Sequence, residues 1–231
     1  LIGCALTLAA GTAAAEPRLA PPFGDHGVIQ RDRPVTVTGT AEPGETVTVT
    51  LGQRRASGRA DREGRFAVGF SALTMPGPVA LSISAPSGRT EARDVQVGDV
   101  FLCSGQSNME MQVERSQDSW GQIGASADDG LRLLTVDKVT AASPQAAFAR
   151  PPAWAVAGPA TAGGFSAACF YMAQELRKTA KVPIGAIADS WGGSAISAWM
   201  DGDGLRKVGR GADAEVLALY SRDPAAAARL A

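Results

Sequence analysis

Apolar and polar positions alternate along the first part of the chain, and then the alternation stops. Val35-Thr36-Val37-Thr38 has period two, Glu42-Pro43-Gly44-Glu45 is a turn, and Thr46–Leu51 alternates again, which predicts a hairpin. Arg65–Phe70 comes after the turn-rich Asp61-Arg62-Glu63-Gly64, and Val79–Ser84 after Pro76-Gly77-Pro78. Short strands at regular spacing between such turns predict a small all-β sandwich-like domain over residues 16–97. From Gly98 the apolar runs become continuous. Val100–Cys103 and Leu131–Val136 read as buried strands. Phe165–Lys181 has helical spacing, with Phe165, Cys169, Met172 and Leu176 on one side, Ser166 as a cap and Arg177, Lys178 and Lys181 where positive charge suits a helix end. Pro183 closes it and Ile184–Ala188 is the next buried strand. Strand, helix, strand is the grammar of a parallel sheet, predicted over residues 98–231. Ala141–Pro159, rich in Ala and Pro, reads as loop, and residues 202–231 have weak helical character.

Composition narrows the function classes. The net charge is -1 and no charge run occurs, so nothing in the 231 residues asks for nucleic acid or an anionic membrane surface. Residues 1–15 are small or apolar, uncharged, and end in Ala13-Ala14-Ala15, like the apolar core and cleavage site of a secretory signal. The lack of a starting Met and of a basic leader points to a chain trimmed at its start. Leu1-Ile2-Gly3-Cys4 also resembles a lipoprotein signal, but the apolar run after Cys4 favours cleavage near Ala15. The stretch is too short to span a bilayer. The expected location is therefore periplasmic or extracellular. Cys4 would leave with the signal. A disulfide between Cys103 and Cys169 stays open, with buried thiols packing as small hydrophobes the preferred reading.

The candidate chemistry sits in two blocks. In Gly98–Met111 an apolar strand runs into Gly105, then into Ser107 flanked by Gln106 and Asn108. That order presents a hydroxyl at the carboxyl end of a buried strand, where open α/β sheets place their sites. The residues after Ser107 read as a helix, whose first N–H groups and positive end would favour an oxyanion. The block is not Gly-x-Ser-x-Gly, since Met109 stands at the last position. By itself Ser107 reads more readily as a helix N-cap than as a nucleophile. The second block, Ala188–Ser194, repeats strand-then-glycine with Gly192-Gly193. A main-chain N–H there would make an oxyanion donor, or the glycines simply make a turn. Trp191 and Trp199 either line a sugar pocket or belong to a core. His26 is the one histidine, placed ahead of the β strands and read as structural or exposed, and Asp25 beside it is not read as its catalytic partner. One His and scattered carboxylates give no metal-ligand spacing, so neither metal nor cofactor is expected.

Gly105-Gln106-Ser107-Asn108-Met109-Glu110-Met111 resembles the nucleophile block of the sialate O-acetylesterase family, within the SGNH-type hydrolases. Pro22–Arg31, Ala41–Glu45, Val97–Val100, Phe165-Ser166-Ala167, Val182–Gly185 and Ser190–Met200 are similar to further blocks of that family, in its order, over about residues 21–200. Three positions depart from it: Gly27, Ser194 and Ser197 stand where the family usually has Met, Thr and Glu. The resemblance implies an SGNH-type α/β domain with a parallel sheet, incomplete here, after a small sandwich. It implies removal of O-acetyl groups from sialic acids or related acetylated sugars. Ser107 matches the nucleophile. The N–H groups of Ser107 and Gly193, with Gly192 as second choice, match the oxyanion hole, and Gln106, Asn108 and Trp191 are candidate substrate contacts. The family's Gly-Glu-Asn-like and Asp-x-x-His blocks do not occur by residue 231, which implies a truncated chain, inactive by itself. Acetylxylan esterase activity, or a non-catalytic carbohydrate-binding protein keeping the fold, are the alternatives.

Overall fold

The computed structural model describes residues 15–141, 145–223 and 225. The expected signal segment, the lipoprotein alternative with its Cys4, and all but Ala225 of the terminal alanine run lie outside those residues.

The predicted alternation becomes two facing sheets. A three-stranded antiparallel sheet runs in the order β1 (Arg18–Leu19), β3 (Val35–Thr40), β6 (Arg65–Phe70). It packs against a group made of β4 (Thr46–Leu51), β5 (Arg54–Arg59), β7 (Gly77–Ala85) and the first part of β8 (Gly88–Gly105). Every second residue points inward: Val35, Val37, Phe66, Val68 and Phe70 meet Val47, Val49, Leu51, Leu81 and Ile83 in one core. The sequence does not announce β5, because Arg54, Arg55, Ser57 and Arg59 carry no apolar face. It forms the outer edge of its sheet, where charge discourages pairing with another chain.

β8 is far longer than the predicted Val100–Cys103. Its 18 residues pair antiparallel with β7, then parallel with the short β2 (Val28–Gln30), then parallel with β11 (Ile184–Ser190). The expected domain boundary between residues 97 and 98 therefore falls inside one continuous strand. β9 (Asp128–Thr135) lies beyond β11 in parallel, and β10 (Trp154–Ala157) closes that edge antiparallel. The region read as loop, 141–159, thus contains a strand. The packing of Trp154, whose Nε1 donates to the Pro22 carbonyl at 2.7 Å, overrides the local Ala/Pro composition.

α3 (Ala167–Ala180) covers one face of this parallel sheet, burying Phe170 and Ala173 against Leu131, Leu133, Ile184 and Ala186. Ser166 caps it, accepting from the Cys169 N–H at 3.2 Å. Arg177 does more than complement the helix end: its guanidinium holds Asp128 at 2.9 and 3.0 Å. The preference for free thiols is corrected by the fold. Cys103 on β8 and Cys169 on α3 form a disulfide, their Cα atoms 5.9 Å apart. Closing a loop of 66 residues is worth about 4 kcal/mol in the chain-entropy account. Two short helices, α4 (Gly202–Lys207) and α5 (Gly211–Arg222), come last. No helix among the described residues is long and apolar enough to cross a membrane.

A β-bulge marks where β8 passes from one partner to the next. Register shifts between Val79 and Leu81 of β7, and Asp94 opposite takes φ 52°. The bulge aims Asp94 at Arg132 of β9, which is only 2% exposed, with bonds of 2.7 and 3.1 Å. The His26 ring hydrogen-bonds the same carboxylate through Nδ1, 2.8 Å away. Burial raises the Asp94 pKa, but hydrogen bonds from His26, Arg132 and Gln96 outweigh it and hold the carboxyl below its usual range. Asp94→Ala strands a buried guanidinium and should cost about 3 kcal/mol in denaturant unfolding, the low end for such a break because Asp94 is half-exposed. Asp94→Ala combined with Arg132→Met should recover most of that loss. A double variant as unstable as the single would mean the ion pair is not what the bulge is holding.

Candidate active site

β8 and β11 run in parallel with Gly105 opposite Ser190, so both strands end at the same level. The pairing continues one step beyond the sheet: the Trp191 N–H donates to the Gly105 carbonyl at 2.9 Å. Gly105 has φ +148°, open to glycine and strained for other residues, and it turns the chain out of the sheet. Gln106 then sits at the N-cap of α1 (Ser107–Glu110). The helix predicted after Ser107 is therefore one turn long, succeeded by a 3-10 turn at Val113–Arg115 and by α2 (Ser119–Gly124). Ser107 is the first helical residue and not the cap. Its hydroxyl is exposed and, among the described residues, donates only to Gln106 Oε1, at 3.3 Å. As the first residue of a helix, its N–H has no intrahelical acceptor.

The second block makes a turn. Ser194 N–H closes it onto the Trp191 carbonyl at 3.2 Å, with Gly193 at φ +80° in the third place, the position that demands glycine in a type II turn. Gly192 lies directly against the turn that carries Ser107: a Cβ there would come 3.5 Å from Ser107 Cα and 2.5 Å from Glu110 Oε2. The Gly192 N–H donates to the Glu110 carboxylate. The Gly193 N–H makes no hydrogen bond among the described residues. The structure thus brings Ser107 and the glycine pair together, with one glycine N–H engaged and the next one open.

Sequence reasoning misses Glu110 as a functional residue, although it stands in the Gly105–Met111 block. One of its carboxylate oxygens pairs with Lys138, after β9, and the other takes the Gly192 N–H, so it ties three separate segments at one point. Lys138 is missed as well. No local signal marks either, because the partners lie far apart in sequence. Lys138, then the Gly192 N–H, hold the Glu110 carboxyl below its ordinary range. With both oxygens engaged and proton affinity reduced, it serves as a tie and is poorly suited to accept a proton.

Beside the turn opens a cavity of about 920 Å³, walled by residues 136–141, 147–150 and 189–194 and by Trp199. That size suits a small organic ligand. Trp191, Trp199 and Phe148 are all partly exposed on it. Trp199 is pinned by its Nε1 donating to Ser194 Oγ at 2.8 Å. Gln106, Ser107 and Asn108 are exposed and none of the three lines this cavity; the lining residue that lies against Ser107 is Gly192. His26 is not part of the site. It is bound to Asp94, and Asp94 lies eleven residues before Gly105 on β8, roughly 35 Å away at the rise of a strand. Asp25 accepts from the Arg93 N–H at 2.8 Å and has no contact with the site.

Comparison with known proteins picks out the same stretch. The family model described as carbohydrate esterase, sialic acid-specific acetylesterase, matches residues 97–214. Sialate O-acetylesterase from Homo sapiens is 29% identical over 210 residues, covering 83% of this chain and 40% of that protein. The Pongo abelii sialate O-acetylesterase is 30% identical over 211 residues, with the same two coverages of 83% and 40%. The chain thus spans about 40% of the length of these curated relatives. Among solved structures, a novel carbohydrate acetylesterase from Xanthomonas citri superposes with a TM-score of 0.79 at 38% identity, covering 82% of this chain and 43% of that one.

Because pairing lowers the folded pKa of Glu110, its tie is intact above the usual glutamate range and is lost as pH falls through the depressed value. The near-UV dichroism of the neighbouring Trp191 and Trp199 should hold steady from neutrality down to about pH 4 and change below it. Glu110→Gln should show the acid-form spectrum already at neutral pH. An identical spectrum in the variant would refute the tie.

Proposed function

The chain belongs to the sialic acid-specific acetylesterase family of carbohydrate esterases, and on that premise we propose that it carries the nucleophile half of a secreted enzyme that removes O-acetyl groups from sialic acids or related acetylated sugars. The observation that supports this most directly is the meeting of Ser107 with the Gly192-Gly193 turn at the carboxyl ends of paired parallel strands. The parallel sheet with α3 on one face is the part we assign to an SGNH-type hydrolase domain, with residues 16–97 before it as a sandwich domain.

In this reading Ser107 Oγ attacks the acetyl carbonyl carbon. The carbonyl oxygen becomes an oxyanion held by the N–H groups of Ser107 and Gly193, donors already fixed before reaction. The hydroxyl proton needs an acceptor, since a serine is a weak nucleophile without one. His26 is too distant, so the base is assigned to a part of the enzyme outside these 231 residues. The tetrahedral adduct collapses, the sugar oxygen leaves and takes the proton, and the acetyl group stays on Ser107. Water, giving its proton to the same base, then attacks the acetyl carbon; the bond from that carbon to Ser107 Oγ breaks, acetate leaves and the base returns the proton to Ser107 Oγ. None of these steps calls for a metal or an organic cofactor. The Cys103–Cys169 disulfide supports a periplasmic or extracellular location, where such bonds persist.

Ser107→Ala in the intact natural protein should reduce acetate release from O-acetylated sugars at least a thousandfold while leaving the melting temperature unchanged, as expected for an exposed nucleophile. Acetate release at the parent rate would remove Ser107 from the mechanism.

A further inference from the structure

The cavity beside the glycine turn carries four charged residues: Asp137, Lys138, Arg150 and Asp189. Three are neutralised. Arg150 pairs with Asp137 at 2.8 Å, and Lys138 pairs with Glu110. Asp189, at the end of β11, makes no side-chain hydrogen bond or ion pair among the described residues. Alternation along β11 turns Ala188 toward α3 and Asp189 to the other face, into the cavity. The net free charge on the wall is therefore one carboxylate. Around it stand the aromatic surfaces of Trp191, Trp199 and Phe148.

We infer that this cavity binds the sugar of the ester and that Asp189 makes it select a neutral, hydroxyl-rich acetylated sugar over an anionic one such as a sialic acid. This rests on the acetylesterase reading of Ser107 and narrows its substrate class. The chemistry is direct. A carboxylate accepts two or more hydroxyl hydrogen bonds from a neutral sugar, and charge-assisted bonds are the stronger kind. A sugar bearing its own carboxylate meets the same group as a like charge, and the cavity offers no uncommitted guanidinium or ammonium among its described lining to offset it. Aromatic faces pack against either ring, so they do not discriminate. A carboxylate without a partner is a cost to the fold, and burial pushes its pKa up for that reason. Such a group on the wall that also carries the Gly192-Gly193 turn is better explained by a ligand than by packing.

Binding can be read apart from turnover. In the Ser107→Ala background of the intact protein, calorimetric titration with an O-acetylated methyl xyloside and with O-acetylated N-acetylneuraminate gives two dissociation constants and their ratio. The neutral ligand should bind about tenfold more tightly, the size expected for two like charges several ångströms apart in a half-solvated site. Asp189→Asn should bring the ratio to about one, mainly by improving the anionic ligand, whereas Asp189→Glu should preserve the preference. The melting temperature of Asp189→Asn should equal or exceed that of the parent, which shows the variant folded. Tighter binding of the anionic ligand by the parent, a ratio unmoved by Asp189→Asn, or no binding of either sugar would overturn the inference. Loss of the nucleophile role while the binding ratio responds to Asp189→Asn would instead overturn the esterase reading and leave the sugar site standing.

Discussion

Everything at the site depends on the parallel register of β8 and β11. Seven consecutive residue pairs, from Ile184 with Asp99 to Ser190 with Gly105, fix the level at which the two strands end. A slip by one residue would turn every side chain to the opposite face and carry the Gly192-Gly193 turn away from Ser107. The register is held from one side by the shared core: Cys103, Ala186 and Leu133 face α3, and the disulfide fastens β8 to that helix four residues before Ser107. Close approach helps from the other side. Gly185 leaves room for Trp154 and Val28, since a Cβ there would come within 2.9 Å of both.

The ion pairs divide along β8 according to what each end must do. At the bulge, Asp94 collects Arg132 and His26, and a few residues on Asp99 binds Arg31 through a fork of 2.8 and 3.0 Å. These pairs fasten the strand where it changes partner, and their charges are spent on one another. At the carboxyl end, Glu110 and Lys138 likewise consume each other's charge and hold the turn. Asp189 is left over, at the place where a ligand would arrive. Arg93 of β8 and Asp129 of β9 also lack a side-chain partner among the described residues, but both are exposed to solvent, whereas Asp189 is partly buried on a cavity wall.

The strands that are legible in the sequence are those with a period: Val35–Thr40, Thr46–Leu51 and Arg65–Phe70 show inward residues at every second position. α3 is legible as a helix, down to its Ser166 cap, but its inward face is carried by Cys169, Phe170 and Ala173, and Met172, expected on the apolar side, is exposed. The hidden elements lack a local signature. β5 has no apolar face, β8 loses its pattern at the Asp94 bulge and at Gly98, and β10 hides among alanines and prolines. Ser107 is visible because strand, glycine and serine stand in one short run. Glu110 stands in that same run, yet its meaning is a contact with Lys138 and Gly192, which only the fold supplies. The Cys103–Cys169 bond is of the same kind, since two cysteines in apolar surroundings read as packing until the fold sets their Cα atoms 5.9 Å apart.

The glycine turn shows how a few backbone groups can be shared among several tasks without competing. The Trp191 N–H extends the sheet to Gly105 and its side chain faces the cavity. The Gly192 N–H is given to Glu110, which sets the distance to Ser107. The Gly193 N–H makes no hydrogen bond among the described residues, and the positive φ of Gly193 lets the turn close from Ser194 onto Trp191. An oxyanion donor is useful only if it is unoccupied before the reaction and yet unable to move during it. Freedom of Gly193 therefore requires the commitment of Gly192. The carboxylate that engages one glycine is what keeps the other in place.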